Sequence, residues 1–176
     1  MDEMKTIDRI KHGDRQAMDT LINAYYQSVF AYFYHYTAKR DFSMDLTQEV
    51  FIKVITTIGE YQNKGKLKSW LFTIAVNHLR NHWKYQSRHY ECEFDENSEL
   101  VYDSWNDVSN NIDIHTALSK IPSEQREAII LKYYLGFTSK EISKMIRVKE
   151  PTVKARIQYG LQKLKRLLGG DDNGER

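Results

Sequence analysis

Apolar residues recur along this chain at intervals of three and four, the period of helices that bury one face. The pattern is clearest near the C-terminus, where Ile142, Met145 and Ile146 form one apolar stripe. A second stripe follows a short gap and runs through Val153, Ile157, Leu161, Leu164 and Leu168. With two prolines, eight glycines and no run of alternating residues in 176 positions, the pattern predicts an all-α chain.

The two C-terminal stripes predict a helix-turn-helix over residues 138–161. Thr138 or Ser139 can cap the first helix, and Glu141 lies where a carboxylate favours the positive helix end. Residues 147–149 supply the turn, and Pro151 suits the first turn of the next helix. This layout is typical of a helix that enters a DNA major groove, but an ordinary amphipathic helix pair has the same pattern.

Four further helices are predicted over residues 3–11, 15–36, 41–58 and 67–87. The second is expected to bury a stripe through Ala17, Leu21, Ala24, Tyr25, Val29 and Phe33. In the third, the expected buried positions are Leu46, Val50, Phe51, Val54, Ile55 and Ile58. In the fourth helix, the expected buried positions are Leu67, Leu71, Ile74, Ala75, His78, Leu79 and His82.

The exposed faces of the third and fourth helices differ in chemistry. Ile52 is surrounded by the polar residues Asp45, Gln48, Glu49, Lys53 and Thr56. An apolar residue with a polar rim suits a partner protein, although a stray surface isoleucine is common. The fourth helix gathers Lys66, Trp70, Thr73, Asn77, Arg80, Asn81, Lys84 and Arg88. Cations, amides and an aromatic ring suit a phosphate backbone and an unstacked base, but a solvated basic face is the alternative.

Charge divides the chain into blocks. Residues 64–88 carry a net charge of +6, residues 91–113 carry −8, and residues 138–168 carry +7, although the whole chain is only +2. The acidic block is rich in Asn and Ser, as flexible linkers often are. It separates helical segments of roughly 90 and 60 residues, which are near the lower limit for independent folding. We therefore expect two small domains on a tether.

Composition narrows the function. No run of about 18 uncharged apolar residues could span a membrane, and the N-terminal residues lack the pattern of a signal peptide. The single cysteine, Cys92, excludes an internal disulfide and makes a cysteine-based zinc site improbable. His78 and His82 have the spacing of a metal-binding pair, but no third ligand is evident and core packing is favoured. We expect no cofactor and no metal, and an enzyme is poorly supported.

Three segments together resemble a known family. They are 45–54 (DLTQEVFIKV), 67–77 (LKSWLFTIAVN) and, beyond the acidic linker, 152–156 (TVKAR). In order and spacing the chain is similar to the extracytoplasmic-function RNA polymerase sigma factors of the sigma-70 superfamily. The resemblance implies a region 2 domain over 1–89, an acidic flexible linker over 90–111, a region 4 domain over 112–170 and a disordered tail over 171–176.

The resemblance also implies partners and roles. The core RNA polymerase, through the clamp helices of its largest subunit, would contact Asp45, Gln48, Glu49, Ile52 and Lys53. The loop 59–66 and the fourth helix would melt the −10 element and hold it as a single strand through Lys64, Lys66, Trp70, Asn77, Arg80, Asn81 and Lys84. The −35 duplex would contact Thr152, Lys154, Ala155, Arg156, Gln158, Tyr159 and Lys163.

The resemblance also implies where the protein works and what regulates it. The protein would be cytoplasmic, without inserting into a membrane, and an anti-sigma factor, often membrane-bound, would regulate it. The chain departs from the family pattern at Leu67, Asn81 and Pro151, so the −10 contacts and the pose of the last helix stay open. Two alternatives remain: a conventional helix-turn-helix repressor or activator, and a helical enzyme that binds a metal through His78 and His82.

Overall fold

A computed structural model describes residues 2–62, 65–89 and 114–168, the last five residues of the second range by their backbone alone. Eight α-helices account for most of this part, with a 3₁₀ turn at Ile58–Glu60 and a π-helical turn at Ile130–Tyr134. The helices are α1 (Glu3–Lys11), α2 (Arg15–Thr37), α3 (Arg40–Thr57), α4 (Leu67–His89), α5 (Ile114–Ser119), α6 (Ser123–Ile129), α7 (Ser139–Ile146) and α8 (Glu150–Leu168). The prediction of an all-α chain is confirmed. Lys64, Cys92, the acidic linker and the tail lie outside the described residues.

Helices α1 to α4 form the N-terminal half, in which α2, α3 and α4 pack around a shared apolar core. Asp2 and Asp14 cap α1 and α2 by accepting hydrogen bonds from the backbone N–H groups of Lys5 and Ala17. The bond from Ala17, followed by the Arg9 guanidinium, lowers the pKa of Asp14. Ala38 then takes a left-handed conformation with φ of 56°, which ends α2 and lets α3 turn back against it.

Two expectations for this half were wrong. Ala24 is exposed, and Ile55 is 45% exposed although it was placed in the core. The buried stripe of α3 instead includes Ser43 and Thr47, and the Thr47 hydroxyl donates to the Ser43 carbonyl at 2.6 Å. Because that bond satisfies the hydroxyl within the helix, a small polar residue can pack where a purely apolar pattern has no candidate.

Helices α5 to α8 form the C-terminal half, and α7 and α8 make the predicted helix-turn-helix. Thr138 and Glu141 form a capping box, in which the Thr138 side chain accepts from the Glu141 N–H and the Glu141 carboxylate accepts from the Thr138 N–H. The pKa of Glu141 is lowered by hydrogen bonds from the hydroxyl and the N–H of Thr138. Arg147 ends α7 with φ of 55°, as the predicted turn requires.

The buried face of α8 differs from the prediction at two positions. Val153, Ile157 and Leu164 are buried as expected, whereas Leu161 and Leu168 are 38% and 45% exposed. Gly160 is buried in place of Leu161 because α6 comes very close to α8 there. A Cβ atom on Gly160 would lie 2.6 Å from Ile129 Cδ1.

The two halves are not separate bodies in the structure: one apolar core runs through both. Phe72 of α4 meets Phe137, which precedes α7, in an edge-to-face contact with ring centroids 5.4 Å apart. A smaller cluster, which includes Ile121 and Leu164, fills the far end of the C-terminal half. The helices fall into the two expected groups, but the contact between the groups was not predicted from the sequence.

Candidate nucleic-acid interface

The outward face of α3 carries the predicted docking residues, and all of them are exposed: Asp45, Gln48, Glu49, Ile52 and Lys53. Ile52 is 62% exposed, and Met44 and Ile55 on the same helix are also exposed. The apolar area on α3 is therefore larger than the single isoleucine expected from the sequence. Exposed apolar side chains within a polar rim are the composition expected of a protein-binding surface.

His78 and His82 were expected to pack in the core, and both are only half-buried. His78 is half-buried, and its Nε2 atom lies 2.6 Å from Glu49 Oε2, so it joins α4 to the outward face of α3. His82 is also half-buried and packs against Phe42, with ring centroids 4.9 Å apart. The His78 imidazole meets its need for a polar partner through Glu49, whereas the His82 Nε2 atom is buried without a hydrogen-bond partner among the described residues. Within the described residues, no group of three or more potential ligands could hold a metal ion.

The predicted strand-binding residues of α4 share one side of the helix. Lys66, Asn81 and Lys84 are exposed, and Trp70, Asn77 and Arg80 are half-buried. Tyr61 supports this face because its ring lies 4.9 Å from that of Trp70 and its hydroxyl accepts from the Lys66 N–H at 3.2 Å. Lys11 in turn donates to the Tyr61 carbonyl at 2.8 Å. Tyr61 was not predicted as a site residue from the sequence, because it lies in a turn without helical periodicity.

A groove of about 740 Å³ runs beside the α4 face. Tyr61, Lys66 and Trp70 line it on the N-terminal side, and Lys140, Lys144 and Met145 of α7 line it on the other. Cations therefore occur on both walls and the Trp70 ring on one of them, and two carboxylates, Glu60 and Glu141, also line the groove. This combination can hold an anionic chain with unstacked planar groups.

Arg80 was expected to face outward, but its guanidinium is directed into the C-terminal half. Nη2 lies 2.5 Å from Glu127 Oε2, Nε donates to Glu127 Oε1 at 3.2 Å, and Nη1 donates to the Ile146 carbonyl at 2.8 Å. Glu127 is only 3% exposed, so this is a nearly buried bidentate ion pair. The periodicity of α4 could not predict this pair, because Glu127 belongs to α6 in the C-terminal half.

The outward face of α8 is open. Thr152, Lys154, Gln158, Tyr159 and Lys163 are exposed, and Ala155 and Arg156 are half-buried. Lys154 Nζ forms an ion pair at 2.9 Å with Glu150 Oε1 one turn earlier. The hydrogen bond from Lys154, followed by its charge, lowers the pKa of Glu150. Small, amide and hydroxyl side chains flanked by cations match the needs of base-edge and phosphate contacts in a major groove.

No helix in the described part of the chain is long and apolar enough to cross a membrane. The basic faces of α4 and α8 are the candidates for a nucleic-acid interface, because each carries cations, amide side chains and an aromatic ring.

Comparison with known proteins gives the same division of the chain. Residues 21–89 match the family profile "Sigma-70 region 2", and residues 111–164 match "Sigma-70, region 4". The RNA polymerase sigma-H factor of Pseudomonas aeruginosa is 22% identical over 169 residues, which span 88% of each chain. The ECF RNA polymerase sigma factor SigE of Mycolicibacterium smegmatis is 30% identical over 169 residues, 89% of this chain and 64% of that protein.

The fold also matches a solved structure. The sigma factor RpoE of Bartonella quintana, in complex with the anti-sigma factor NepR, aligns with a TM-score of 0.73. The alignment covers 87% of this chain and 97% of that one at 22% identity. The arrangement of helices is therefore that of a two-region sigma factor.

Proposed function

Because this chain belongs to the sigma-70 family, as a sigma factor of the extracytoplasmic-function group, we propose that it directs core RNA polymerase to promoters through three surfaces. The exposed face of α3 binds polymerase, the α4 face holds the −10 strand, and the α8 face reads the −35 duplex. The observation that carries the proposal is the presence of both family regions on one chain, each with a basic, aromatic-bearing helix face.

For the polymerase, we propose that the clamp helices of the largest subunit pack against Ile52 and the residues around it. The exposure of Ile52, Met44 and Ile55 supports this, since burial of apolar surface supplies most of the free energy of such contacts. The bond from His78 to Glu49 holds one carboxylate of this surface in place. It also links the polymerase-binding helix α3 directly to α4.

For the −10 element, we propose that Trp70 stacks on an unpaired base of the non-template strand. Lys66, Lys84, Asn77 and Asn81 contact the backbone and base edges, and Arg80 joins them once it leaves Glu127. The cost of unpairing a base, a few kcal/mol, is partly offset by about 1–3 kcal/mol of stacking on an aromatic ring.

For the −35 element, we propose that α8 enters the major groove. Lys154, Ala155, Gln158 and Tyr159 lie near base edges, while Arg156 and Lys163 contact phosphates and Thr152 helps to position the helix. The open, cation-flanked face of α8 supports this assignment. We assign no catalytic step to the chain, because polymerase carries out the chemistry.

The proposals for how the protein is regulated and where it works also rest on its membership of the family. We propose that the protein works in the bacterial cytoplasm and that an anti-sigma factor controls it, held at the membrane in some cases. The structural likeness to a sigma factor that was crystallised with its anti-sigma factor supports this proposal.

Run-off transcription with bacterial core polymerase and a promoter library tests the proposed function. We expect promoter-specific transcripts only when this protein is added. Ile52→Asp should weaken core binding and leave −35 duplex binding unchanged, whereas Met4→Asp, at an exposed position on α1, should change neither. Absence of promoter-specific transcripts with the unmodified chain would refute the function.

A further inference from the structure

The groove beside the α4 face has a second wall to which the proposed function gives no role. Lys140 and Lys144 lie on that wall, one helical turn apart on α7, and both are exposed. They do not belong to α8, the helix assigned to the −35 duplex. Lys66 lies on the opposite wall, so three ammonium groups line a groove of about 740 Å³.

These three cations are not neutralised by ion pairs. Within the described part of the chain, none of the three ammonium groups forms one. The Glu141 carboxylate also lines the groove, but it accepts hydrogen bonds from the N–H and hydroxyl of Thr138 and from the hydroxyl of Ser69. With Glu60 as the second carboxylate, the lining has a net charge of +1. An anionic ligand is therefore favoured.

The aromatic part of the groove is confined to the wall that carries Lys66. Trp70 lines the groove, and Tyr61, which is only 6% exposed, supports the Trp70 ring with centroids 4.9 Å apart. Glu60 and Gln62 flank Tyr61 in the chain, are exposed and also line the groove. Their side-chain oxygens can accept hydrogen bonds from an amino group. This wall suits a nucleobase that stacks on an aromatic ring and carries an exocyclic amino group.

The two walls together define the layout of a ligand. A planar ring fits against Trp70, one anionic group fits near Lys66, and further anionic groups fit across the groove near Lys140 and Lys144. A nucleoside triphosphate has this layout, because its base lies at one end and its negative charges lie at the other. The volume of the groove is within the range of about 300–1,000 Å³ that is typical of small-molecule sites.

From these observations we propose that the groove binds a nucleoside triphosphate. The base stacks on Trp70, and its amino group donates to Glu60 or Gln62. Lys66 contacts the first phosphate, and the two lysines of α7 contact the outer phosphates. This binding goes beyond the proposed function and requires neither polymerase nor promoter DNA. It shares with that function only the Trp70 ring and Lys66.

Isothermal titration calorimetry of the full chain, without polymerase or DNA, tests the site. We expect GTP to bind about tenfold more tightly than inorganic tripolyphosphate, which has the charge but no ring to stack. CTP and UTP form a matched pair, since cytosine has an amino group where uracil has a carbonyl. CTP should bind more tightly than UTP, and equal affinities would refute the contact with Glu60 or Gln62.

Variants on the two walls separate the ring from the cations. Trp70→Ala should lower the affinity for GTP to that for tripolyphosphate and leave tripolyphosphate binding unchanged. The double variant Lys140→Ala/Lys144→Ala should weaken binding of both probes about tenfold, because it removes charge-assisted contacts to phosphate. Lys149→Ala/Lys165→Ala is the matched control, because it removes the same charge from two exposed lysines that do not line the groove. Its affinities should equal those of the unmodified chain.

Far-ultraviolet circular dichroism shows whether each variant keeps its helices. The site is refuted if the unmodified chain binds GTP no more tightly than tripolyphosphate, or binds neither. It is also refuted if the control pair loses as much affinity as the α7 pair, since charge anywhere on the surface would then suffice. Each of these results leaves the proposed function intact, because transcription with core polymerase tests it separately. Failed transcription together with the expected GTP binding would refute the function and retain the site.

Discussion

Helices α4 and α8 both present cations, amide side chains and one aromatic ring, but they differ in what surrounds those groups. On α4, Arg80 is bound by Glu127 and Trp70 lies against Tyr61. On α8, Tyr159 and Lys163 are exposed to solvent, and Lys154 forms an ion pair with its neighbour Glu150. The α8 face is therefore open to a duplex, whereas Arg80 on α4 must leave Glu127 before it can contact a strand.

This difference suits the two ligands. A duplex presents its groove ready-made, so a rigid and exposed helix can read it. A single strand exists only after base pairs have been broken, and a surface that bound it freely would also bind unrelated strands. The ion pair between Arg80 and Glu127 adds an unfavourable step to any contact between Arg80 and a strand.

The largest expected effect comes from breaking the support of α8. Gly160→Val places side-chain carbons where Ile129 Cδ1 is 2.6 Å and Gln125 Cβ is 3.1 Å from the first added atom. Overpacking of this kind typically costs about 1–3 kcal/mol. We expect a lower thermal unfolding midpoint and a loss of −35 duplex binding, because α8 must move away from α6.

Gly59→Ala is the matched control for that change. A Cβ at Gly59 meets nothing within 4 Å, and its φ is not in the left-handed region. Its unfolding midpoint and its duplex binding should stay close to those of the unmodified chain. If Gly160→Val also kept the unfolding midpoint and the duplex binding of the unmodified chain, the close approach of α6 and α8 would not be what positions α8.

The second-largest expected effect comes from removing the aromatic ring of Trp70 on α4. Trp70→Ala should weaken binding of the −10 single strand by holoenzyme by about ten- to a hundredfold, the range for loss of one stacked base. Binding of −35 duplex to the free chain should not change, since Trp70 lies in the groove beside α4. A fluorescence titration with each DNA separates the two surfaces.

Trp83→Ala provides the control for Trp70→Ala, because Trp83 is an exposed tryptophan of the same helix that packs near Phe42. We expect little change in single-strand binding for Trp83→Ala. Equal losses in the two variants would show that any exposed tryptophan on α4 contributes. The assignment of the strand to the Trp70 side would then be wrong.

Most of the helices could be predicted from the sequence because each satisfies local rules. The caps at Asp14 and Thr138 and the turn after Ile146 depend on neighbouring residues alone. The exposed face of α8 was predicted for the same reason, since it follows from the period of one helix. Gly160 could not be anticipated as a buried position, because its burial depends on the distance between α6 and α8.

The surroundings of α4 could not be predicted because they depend on contacts distant in sequence. Arg80 and Glu127 are 47 residues apart, and periodicity within one helix contains no information about such a pair. Phe72 and Val76 form a second apolar row on α4, beside the row that packs within the N-terminal half. Two apolar rows on one helix were the available signal that α4 has two packing partners.

The smallest expected effect tests the ion pair between Lys154 and Glu150 on the α8 face. Lys154→Ala should weaken −35 duplex binding and reduce the magnitude of the slope of log affinity against log salt by up to about 0.9, because one cation fewer at the interface releases fewer counterions from the DNA. Glu150→Gln should have the opposite effect on affinity, because it removes an acid beside the DNA and frees Lys154. The double variant shows whether the effect of Glu150→Gln depends on Lys154. If Glu150→Gln still strengthens binding when Lys154 is absent, the carboxylate acts by repelling DNA directly, and the ion pair does not restrain α8. If the gain requires Lys154, then α8 also carries an internal competitor for a DNA-binding cation, weaker than Glu127 because both partners are exposed to solvent.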